Sequence, residues 1–252
     1  MKISLITPSY NSAATINDTL ESVKNQAFPD LEYIIIDGAS TDKTLDIIKN
    51  YQENLKIKLV SERDRGIYDA MNKGVNLATG EIVGIINADD FYKNNDVLKK
   101  VSIIFITRPE IDAVYGDLEF FKSTDLKKIV RFWPAGKYNE KKLANGWTIP
   151  HPTLFLRREV YKKYGGFRTD LAIAGDYEFI LRLLKKEKIK VFYLPETLVC
   201  MRTGGASGRN LKQRFKGWQE LSLAWKLNNL KRPYFFICRR IVFKIMQYFK
   251  LS

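Results

Sequence analysis

Residues 82–90 read Ile-Val-Gly-Ile-Ile-Asn-Ala-Asp-Asp. An Ile-Val-Gly-Ile-Ile run has no polar face, which is the pattern of a central parallel strand buried on both sides. Asp89 and Asp90 follow it side by side. Two adjacent carboxylates at the end of a buried strand are unfavourable unless something cationic meets them. Open α/β sheets bind their ligands at the carboxyl ends of their strands, and a divalent metal carrying a phosphorylated substrate is a cation that fits. A turn is the plainer use of Asn and Asp; two aspartates directly after a buried strand favour the chemical reading, which is an enzyme.

Upstream of this strand, extended and helical stretches alternate. Residues 2–6, 31–36 and 56–60 read as strands, and residues 14–25, 42–51 and 68–78 as helices. Asn11 or Ser12 suits the N-cap of the first helix, and Ser40 or Thr41 that of the second. Alternation at this spacing predicts a parallel, doubly wound sheet. In such a sheet the segments that follow the strands share one edge. They are Thr7-Pro8-Ser9-Tyr10-Asn11, Asp37-Gly38-Ala39-Ser40, Ser61-Glu62-Arg63-Asp64-Arg65-Gly66 and Asn87-Ala88-Asp89-Asp90. One crevice then collects hydroxyls, carboxylates, an arginine and glycines.

Beyond Asp90 the pattern is mixed. A helix is expected over 96–105, alternating stretches near 113–121 and 128–132, and a helix over 158–164 that ends at Gly165-Gly166, a plausible C-cap. Another helix is expected from Asp176 through Leu184. No linker separates this half, which reads as a substrate-side lobe on the same sheet.

Each candidate residue has a plain use beside a chemical one. Asp37 can accept from a base N–H or a ribose hydroxyl, or serve a turn. Arg65 can meet a nucleoside or a diphosphate, or be a solvated surface charge. Asp176 can cap its helix, or, held ionised at a helix start, accept a proton; Glu178 is the fallback. His151 is the single histidine, between Pro150 and Pro152. It therefore cannot belong to a multi-histidine metal site, and contact with an acceptor or diphosphate competes with a structural loop role. Trp147 stacks on a sugar ring or covers the core.

The chain of 252 residues, 45% of them hydrophobic, is long enough for one sizeable α/β core with an appendage. The net charge is +14 and unevenly spread. Residues 208–252 hold eleven Lys/Arg and one acidic residue, Glu220, and so carry ten of those charges. Two cysteines without metal-ligand spacing suggest neither zinc nor a disulfide framework, and point to a reducing cytoplasm. The first residues read as a strand, too short for a signal-peptide core, and no apolar run approaches the roughly 18 residues of a membrane span. Residues 202–208 read as a glycine-rich loop with the character of a lid. From Tyr234 onward, Arg240, Lys244 and Gln247 share one helical face among large apolar residues, which suits an anionic membrane surface. Packing on the core or on a partner is the alternative. Nucleic-acid binding is disfavoured, because no recognised motif accompanies the charge.

Taken together and in this order, Thr7-Pro8-Ser9-Tyr10-Asn11, Asp37 to Asp42, Gly66 to Gly74, Asn87-Ala88-Asp89-Asp90 and Gly175-Asp176-Tyr177-Glu178 resemble family-2 glycosyltransferases of the GT-A fold, of the bacterial cell-surface polysaccharide type. The resemblance covers residues 1–208, leaving 209–252 as a basic amphipathic helical tail. It implies a Rossmann-like, mostly parallel sheet flanked by helices, a nucleotide-sugar donor, usually UDP-linked, and a Mn²⁺ or Mg²⁺ ion. Asn87-Ala88-Asp89 stands in place of the family's Asp-x-Asp motif. With Asn in the first position, Asp89, together with Asp90, is left to carry the metal. Asp37 matches the base-binding aspartate and Asp176 the catalytic base. Thr7, Pro8, Ser9, Tyr10, Arg65, Asn72, Lys73, Asn87 and Ala88 fall on the donor side; Trp147, His151 and Glu178 fall on the acceptor side. The resemblance further implies an inverting transfer of one hexosyl unit to a glycan or lipid-linked acceptor, while the cysteines and the basic tail set the expectation of a cytoplasmic protein peripheral on the inner membrane face. The Gln-x-x-Arg-Trp motif of processive synthases is absent. A non-catalytic sugar-binding module of the same fold is the competing reading. A nucleotidyltransferase or a nicotinamide oxidoreductase lacks its glycine-rich signature after strand one.

Overall fold

The computed structural model describes residues 1–123, 125–204 and 211–249. The strands among them are β1 (Ile3–Ser9), β2 (Leu31–Asp37), β3 (Lys58–Ser61), β4 (Ile82–Ile85), β5 (Phe91–Tyr92), β6 (Ala113–Lys122), β7 (Asp125–Trp133), β8 (Phe155–Arg157) and β9 (Val191–Arg202). They form one sheet in the order β3-β2-β1-β4-β8-β6-β9-β5, with β7 paired on β6. β1 to β4 are mutually parallel, β8 inserts antiparallel between β4 and β6, and β9 lies parallel to β6. The chain winds outward from β1 to β3, then returns to place β4 on the other side of β1. That reversal opens a crevice beyond the carboxyl ends of β1 and β4.

The helices are α1 (Ile16–Lys24), α2 (Thr44–Leu55), α3 (Ile67–Leu77), α4 (Val97–Thr107), α5 (Glu140–Ala144), α6 (Arg158–Tyr164), α7 (Gly175–Leu181), α8 (Leu211–Leu227) and α9 (Phe236–Met246). The period-2 alternation of the strands sorts the core into two layers. Leu5, Tyr33, Ile35 and Ile82 pack on one side against Leu20 of α1, Ile48 of α2 and Phe105 of α4. Ile6, Ile34, Val83 and Ile85 pack on the other against Met71 of α3, Phe179 of α7, Trp225 of α8 and Phe236 of α9. In α1 the buried set Ile16, Thr19, Leu20, Val23 follows the i, i+3, i+4, i+7 spacing of a helix with one core face.

Gly84 explains the gap in the apolar run of β4. A Cβ there would lie 2.5 Å from the Phe155 ring, so the missing side chain admits the neighbouring β8. The cap expectations take a different form. The helices begin after Thr15 and Lys43, and neither residue makes a side-chain cap. Asn11 and Ser40 instead sew the loops after β1 and β2 together, through Thr41 N–H to Asn11 Oδ1 (2.9 Å) and Asn11 N–H to Ser40 Oγ (2.8 Å). Asp42 supports both loops, accepting from Thr44 N–H (2.9 Å) and Ala13 N–H (3.1 Å).

Residues 211–249 pack against the body. Phe236 is fully buried, Trp225 donates its indole N–H to Tyr177 Oη (3.0 Å), and Asn228 donates to Glu178 Oε1 (3.0 Å). A second face of α9 and the residues flanking it leave Tyr234, Phe235, Val242, Ile245, Met246 and Phe249 exposed. The expected glycine-rich loop falls mostly on residues 205–208, outside the described residues.

Candidate active site

The Asp37 carboxylate, fully buried at the end of β2, ties three strand ends together. Oδ1 accepts from Ser9 Oγ (3.1 Å) and Ser40 Oγ (2.5 Å), and Oδ2 from Ser40 N–H (2.8 Å) and Ser61 Oγ (2.9 Å). Four donors match the four lone-pair positions of a carboxylate, which offsets the cost of burying it. Three of those donors are hydroxyls, whose protons can turn toward a ligand. Ser61 was not singled out in the sequence. Thr7 lies in the floor with its hydroxyl on Tyr33 Oη (3.0 Å), beside buried Pro8, while Tyr10 is 63% exposed. The Tyr10 ring and the Asp64 carboxylate both close on Gly38.

Register carries the residues after β4 to the same rim, since Ile6 pairs with Ile85 and Ile86 N–H reaches Ile6 O (3.0 Å). The loop is anchored from behind. Thr15 donates to Ala88 O (2.9 Å), Thr19 to Asp90 O (2.7 Å), and Arg202 to Asp89 O (2.8 Å) while also pairing with Asp18. Asp89 is partly exposed, and burial raises its pKa against the pull of Arg202. Asp90 is fully buried, and burial together with the Asp89 charge pushes its pKa well up. Asn87 donates to Asp90 Oδ2 (2.9 Å), leaving Asn87 Oδ1 and Asp90 Oδ1 buried without a donor among the described residues. Two orphaned oxygens beside two desolvated carboxylates fit a hard cation that is a substitute donor. Among the described residues no three His, Cys, Asp or Glu converge to hold an ion alone. Two carboxylates and an amide fit an ion shared with a ligand's phosphates. Arg202, read in the sequence as the start of a loop, is the cation beneath this motif.

Asp176 sits in the first turn of α7, partly exposed. Its Oδ1 accepts from Tyr68 Oη (3.2 Å) and Tyr177 N–H (2.8 Å); Oδ2 accepts no hydrogen bond among the described residues. Tyr68 belongs to the first turn of α3, directly after the rim loop of β3, so its hydroxyl links Asp176 to the crevice. A Cβ at Gly175 would stand 2.7 Å from the Tyr68 ring, which is why that position has no side chain. Burial, then the Asp176 charge, raises the Tyr68 pKa and keeps the hydroxyl protonated. The segment leading to Asp176 is held by Glu220 of α8, which accepts from Ala172 N–H (3.1 Å), Ile173 N–H (2.7 Å) and Ala174 N–H (2.9 Å). His151 is 7% exposed and stands edge-on to Phe167 (5.3 Å). Burial lowers its pKa, partly offset by the Asp176 charge nearby, so the ring is neutral.

Five other candidates already have partners in the scaffold. Asn72 is committed to Phe167, donating to its O and accepting from its N–H (both 2.8 Å). Trp147 is 2% exposed and donates to Ala135 O (2.5 Å), the core-covering alternative of the sequence. Glu178 is 1% exposed and engaged by Arg182 (3.0 Å) and Asn228. Arg65 is well exposed and paired with Asp69 (2.9 Å), and Lys73 is paired with Glu62 (2.7 Å). Each pair keeps one partner in solvent, Arg65 in the first and Glu62 in the second, so an incoming diphosphate can compete for either cation.

A doubly wound sheet with a polar crevice at its switch point and an acidic pair on its rim defines the ligand-binding site of an α/β enzyme. The family model for glycosyl transferase family 2 matches residues 4–165, so the chain belongs to that family. A PGL/p-HBAD biosynthesis glycosyltransferase of Mycobacterium bovis is 33% identical over 193 residues, 76% of this chain and 73% of that protein. An uncharacterized glycosyltransferase of Nostoc sp. is 34% identical, over 65% of this chain and 53% of its own. Among solved structures, S. aureus TarS 1-349 in complex with UDP-GlcNAc superposes with a TM-score of 0.72 at 19% identity, over all of this chain and 76% of its own. The longer TarS chain is spanned to 44%. The mannosyltransferase PcManGT from Pyrobaculum calidifontis, in complex with GDP-Man and Mn²⁺, gives 0.65 at 23% identity, over all of this chain and 70% of its own. These likenesses establish the GT-A fold.

Proposed function

We propose that this glycosyltransferase moves one sugar, with inversion, from a nucleotide diphosphate sugar, UDP-linked, to a hydroxyl of a glycan or lipid-linked acceptor in cell-surface polysaccharide synthesis. The observation that carries the proposal is the hydrogen bond from Tyr68, in the first turn after the β3 rim loop, to the Asp176 carboxylate.

The nucleoside lies along Thr7 to Tyr10 and Asp37, whose hydroxyl partners turn to admit it. Arg65 and Lys73 stand at the mouth for the diphosphate. Asp89, with Asp90 and the Asn87 amide oxygen, would hold Mn²⁺ or Mg²⁺, which supplies positive charge against the leaving diphosphate. The Asp176 Oδ1 is fixed, and its free Oδ2 accepts the proton of the acceptor hydroxyl as that oxygen forms its bond to the anomeric carbon. The bond from that carbon to the diphosphate oxygen breaks, and its electron pair leaves with the nucleotide from the opposite face. Neutral His151 walls the acceptor side. General-base assistance of this kind contributes about 10²–10⁴-fold.

The test is a panel of nucleotide sugars with Mn²⁺, read by melting temperature and by release of nucleoside diphosphate. One donor should raise the melting point and be slowly hydrolysed, and Asp89→Ala should weaken the metal dependence of both. Binding without any hydrolysis or transfer would leave the sugar-binding module as the better account.

The chain is further proposed to work in the cytoplasm, peripherally on the inner membrane face. Exposed Tyr234, Phe235, Val242, Ile245, Met246 and Phe249 among lysines and arginines support this, and no helix among the described residues is long and apolar enough to cross a membrane. Deleting residues 231–252 would remove core residue Phe236, so Val242→Ser and Met246→Ser give the cleaner test. These variants should reduce co-sedimentation with phosphatidylglycerol vesicles; unchanged binding would oppose the assignment.

A further inference from the structure

Near Asp176 four cations gather, Arg240, Arg131, Lys244 and Arg214. Arg240 of α9 lies over the Tyr177 ring (4.8 Å) and donates to Gly146 O (3.0 Å). Arg131 of β7 lies over Phe120 (4.2 Å), within reach of the Trp133 and Tyr248 rings, and donates through Nε to Gln247 Oε1 (2.7 Å). Lys244 is one turn of α9 beyond Arg240, and Arg214 approaches from α8. Arg240, Arg131 and Arg214 each repel Lys244, and Arg240 repels Arg131. Burial and then Arg240 and Arg131 lower the Lys244 pKa to about 8, although the side chain is exposed by area; that exposure discounts the burial effect and leaves the repulsion. Arg131 and Arg240 are likewise lowered, by burial first. Asp176 is the acid whose charge reaches Arg240 and Lys244, whereas the cation acting on Asp89 and Asp90 is Arg202. Arg240 stacks on the ring of Tyr177, the residue after Asp176, which ties the cluster to the Asp176 end of the site.

Unpaired donors accompany this charge. Gln247 is 2% exposed, and its Nε2 has no acceptor among the described residues; Arg240 Nε is buried and equally unpaired. An unsatisfied buried donor is unfavourable, the more so in a charged group. Native proteins keep few of these, and a cluster of them beside repelling cations marks the seat of an anion.

We propose that the acceptor carries a phosphoryl group, bound by Arg240, Lys244, Arg131 and the Gln247 amide, which delivers the acceptor hydroxyl to Asp176. Two guanidinium groups and an ammonium suit the multiple charges and oxygens of a phosphate better than one carboxylate. This deepens the proposed transfer reaction and rests on Asp176 facing the acceptor.

The test is calorimetric titration of phenyl phosphate, and of uncharged phenol as its match, into metal-free protein. Wild type should bind phenyl phosphate and bind phenol at least about tenfold more weakly. Lys244→Gln and Arg240→Gln should each weaken phosphate binding about tenfold, the effect of one charged hydrogen bond. Arg240→Lys should recover part of it, and Asp89→Ala should leave it unchanged. Lys244 is exposed, so its variant keeps the test open should Arg240→Gln fail to fold. Phosphate binding that is absent, indifferent to both α9 substitutions, or lost with Asp89→Ala overturns the proposal. Phosphatidylglycerol vesicles that displace phenyl phosphate, where phosphatidylcholine vesicles do not, would assign the seat to a lipid headgroup; no displacement assigns it to the phosphate of the acceptor itself. Either outcome supports the phosphoryl site. Asp176→Asn separates the two claims. If it retains full turnover while phosphate binding persists, the base assignment fails and the anion seat stands; if turnover falls but no phosphate binds, the reverse holds.

Discussion

Removing one hydroxyl, in Tyr68→Phe, should slow transfer about tenfold without weakening donor binding. The Tyr68 hydroxyl has one proton and two acceptors, Ile173 O at 3.0 Å and Asp176 Oδ1 at 3.2 Å. A hydrogen bond to a charged group is worth about 1.5–3 kcal/mol, and division between two acceptors puts this one just below that range, at about 1.4 kcal/mol. That is about a factor of ten in rate. The ring is 7% exposed and remains in place, so the fold should lose no more than about 1–2 kcal/mol. The assay is steady-state release of nucleoside diphosphate with saturating acceptor, for wild type, Tyr68→Phe, Asp176→Asn and the double variant. If the tyrosine acts through the carboxylate, it should contribute almost nothing once Asp176 is asparagine. A tenfold loss that persists in the Asp176→Asn background, or a raised KM for donor with unchanged kcat, would refute the reasoning.

Two further outcomes follow from contacts that hold the site. Glu220→Ala removes the acceptor of three backbone N–H groups, of which that of Ala174 is buried, and should cost about 2–4 kcal/mol in urea unfolding while lowering kcat; a change under about 0.5 kcal/mol would contradict the anchoring role. His151 is held neutral by burial, with its folded pKa below the unfolded value of about 6.5, so below that pH the unfolded chain binds more protons. Stability should therefore be complete above about pH 6.5 and decline as pH falls toward the folded pKa. His151→Gln should flatten that decline, and an identical acid profile in both proteins would show that another group is responsible.

Much of the fold was legible because its first half is built from long periodic segments. β1, β2 and β4 are apolar runs ending in polar loops, and their rim could be inferred from order alone. β9 was not read, since Pro195 and Glu196 interrupt it and its length is fixed by pairing with β6. β8 has three residues, too few for a periodic signal, and it exists because Gly84 admits Phe155. In the site, the aspartates were visible as residues while their supports were not. Tyr68, Glu220 and Arg202 act through contacts 108, 46–48 and 113 positions away, which no local pattern encodes. Asn72 and Trp147 have the composition of ligand contacts, and only their partners reveal structural pins. The amphipathic pattern of α9 announced an apolar face without saying that Phe236 turns inward while Phe249 stays in water.

The most direct test of the central claim is a comparison of Asp176→Asn with wild type, by donor calorimetry and by single-turnover transfer in the same buffer. Unchanged donor affinity with turnover reduced about 10²–10⁴-fold is the outcome expected of a carboxylate that takes the acceptor proton. Turnover within threefold of wild type, or affinity lost in step with rate, would mean that Asp176 does not perform that proton transfer.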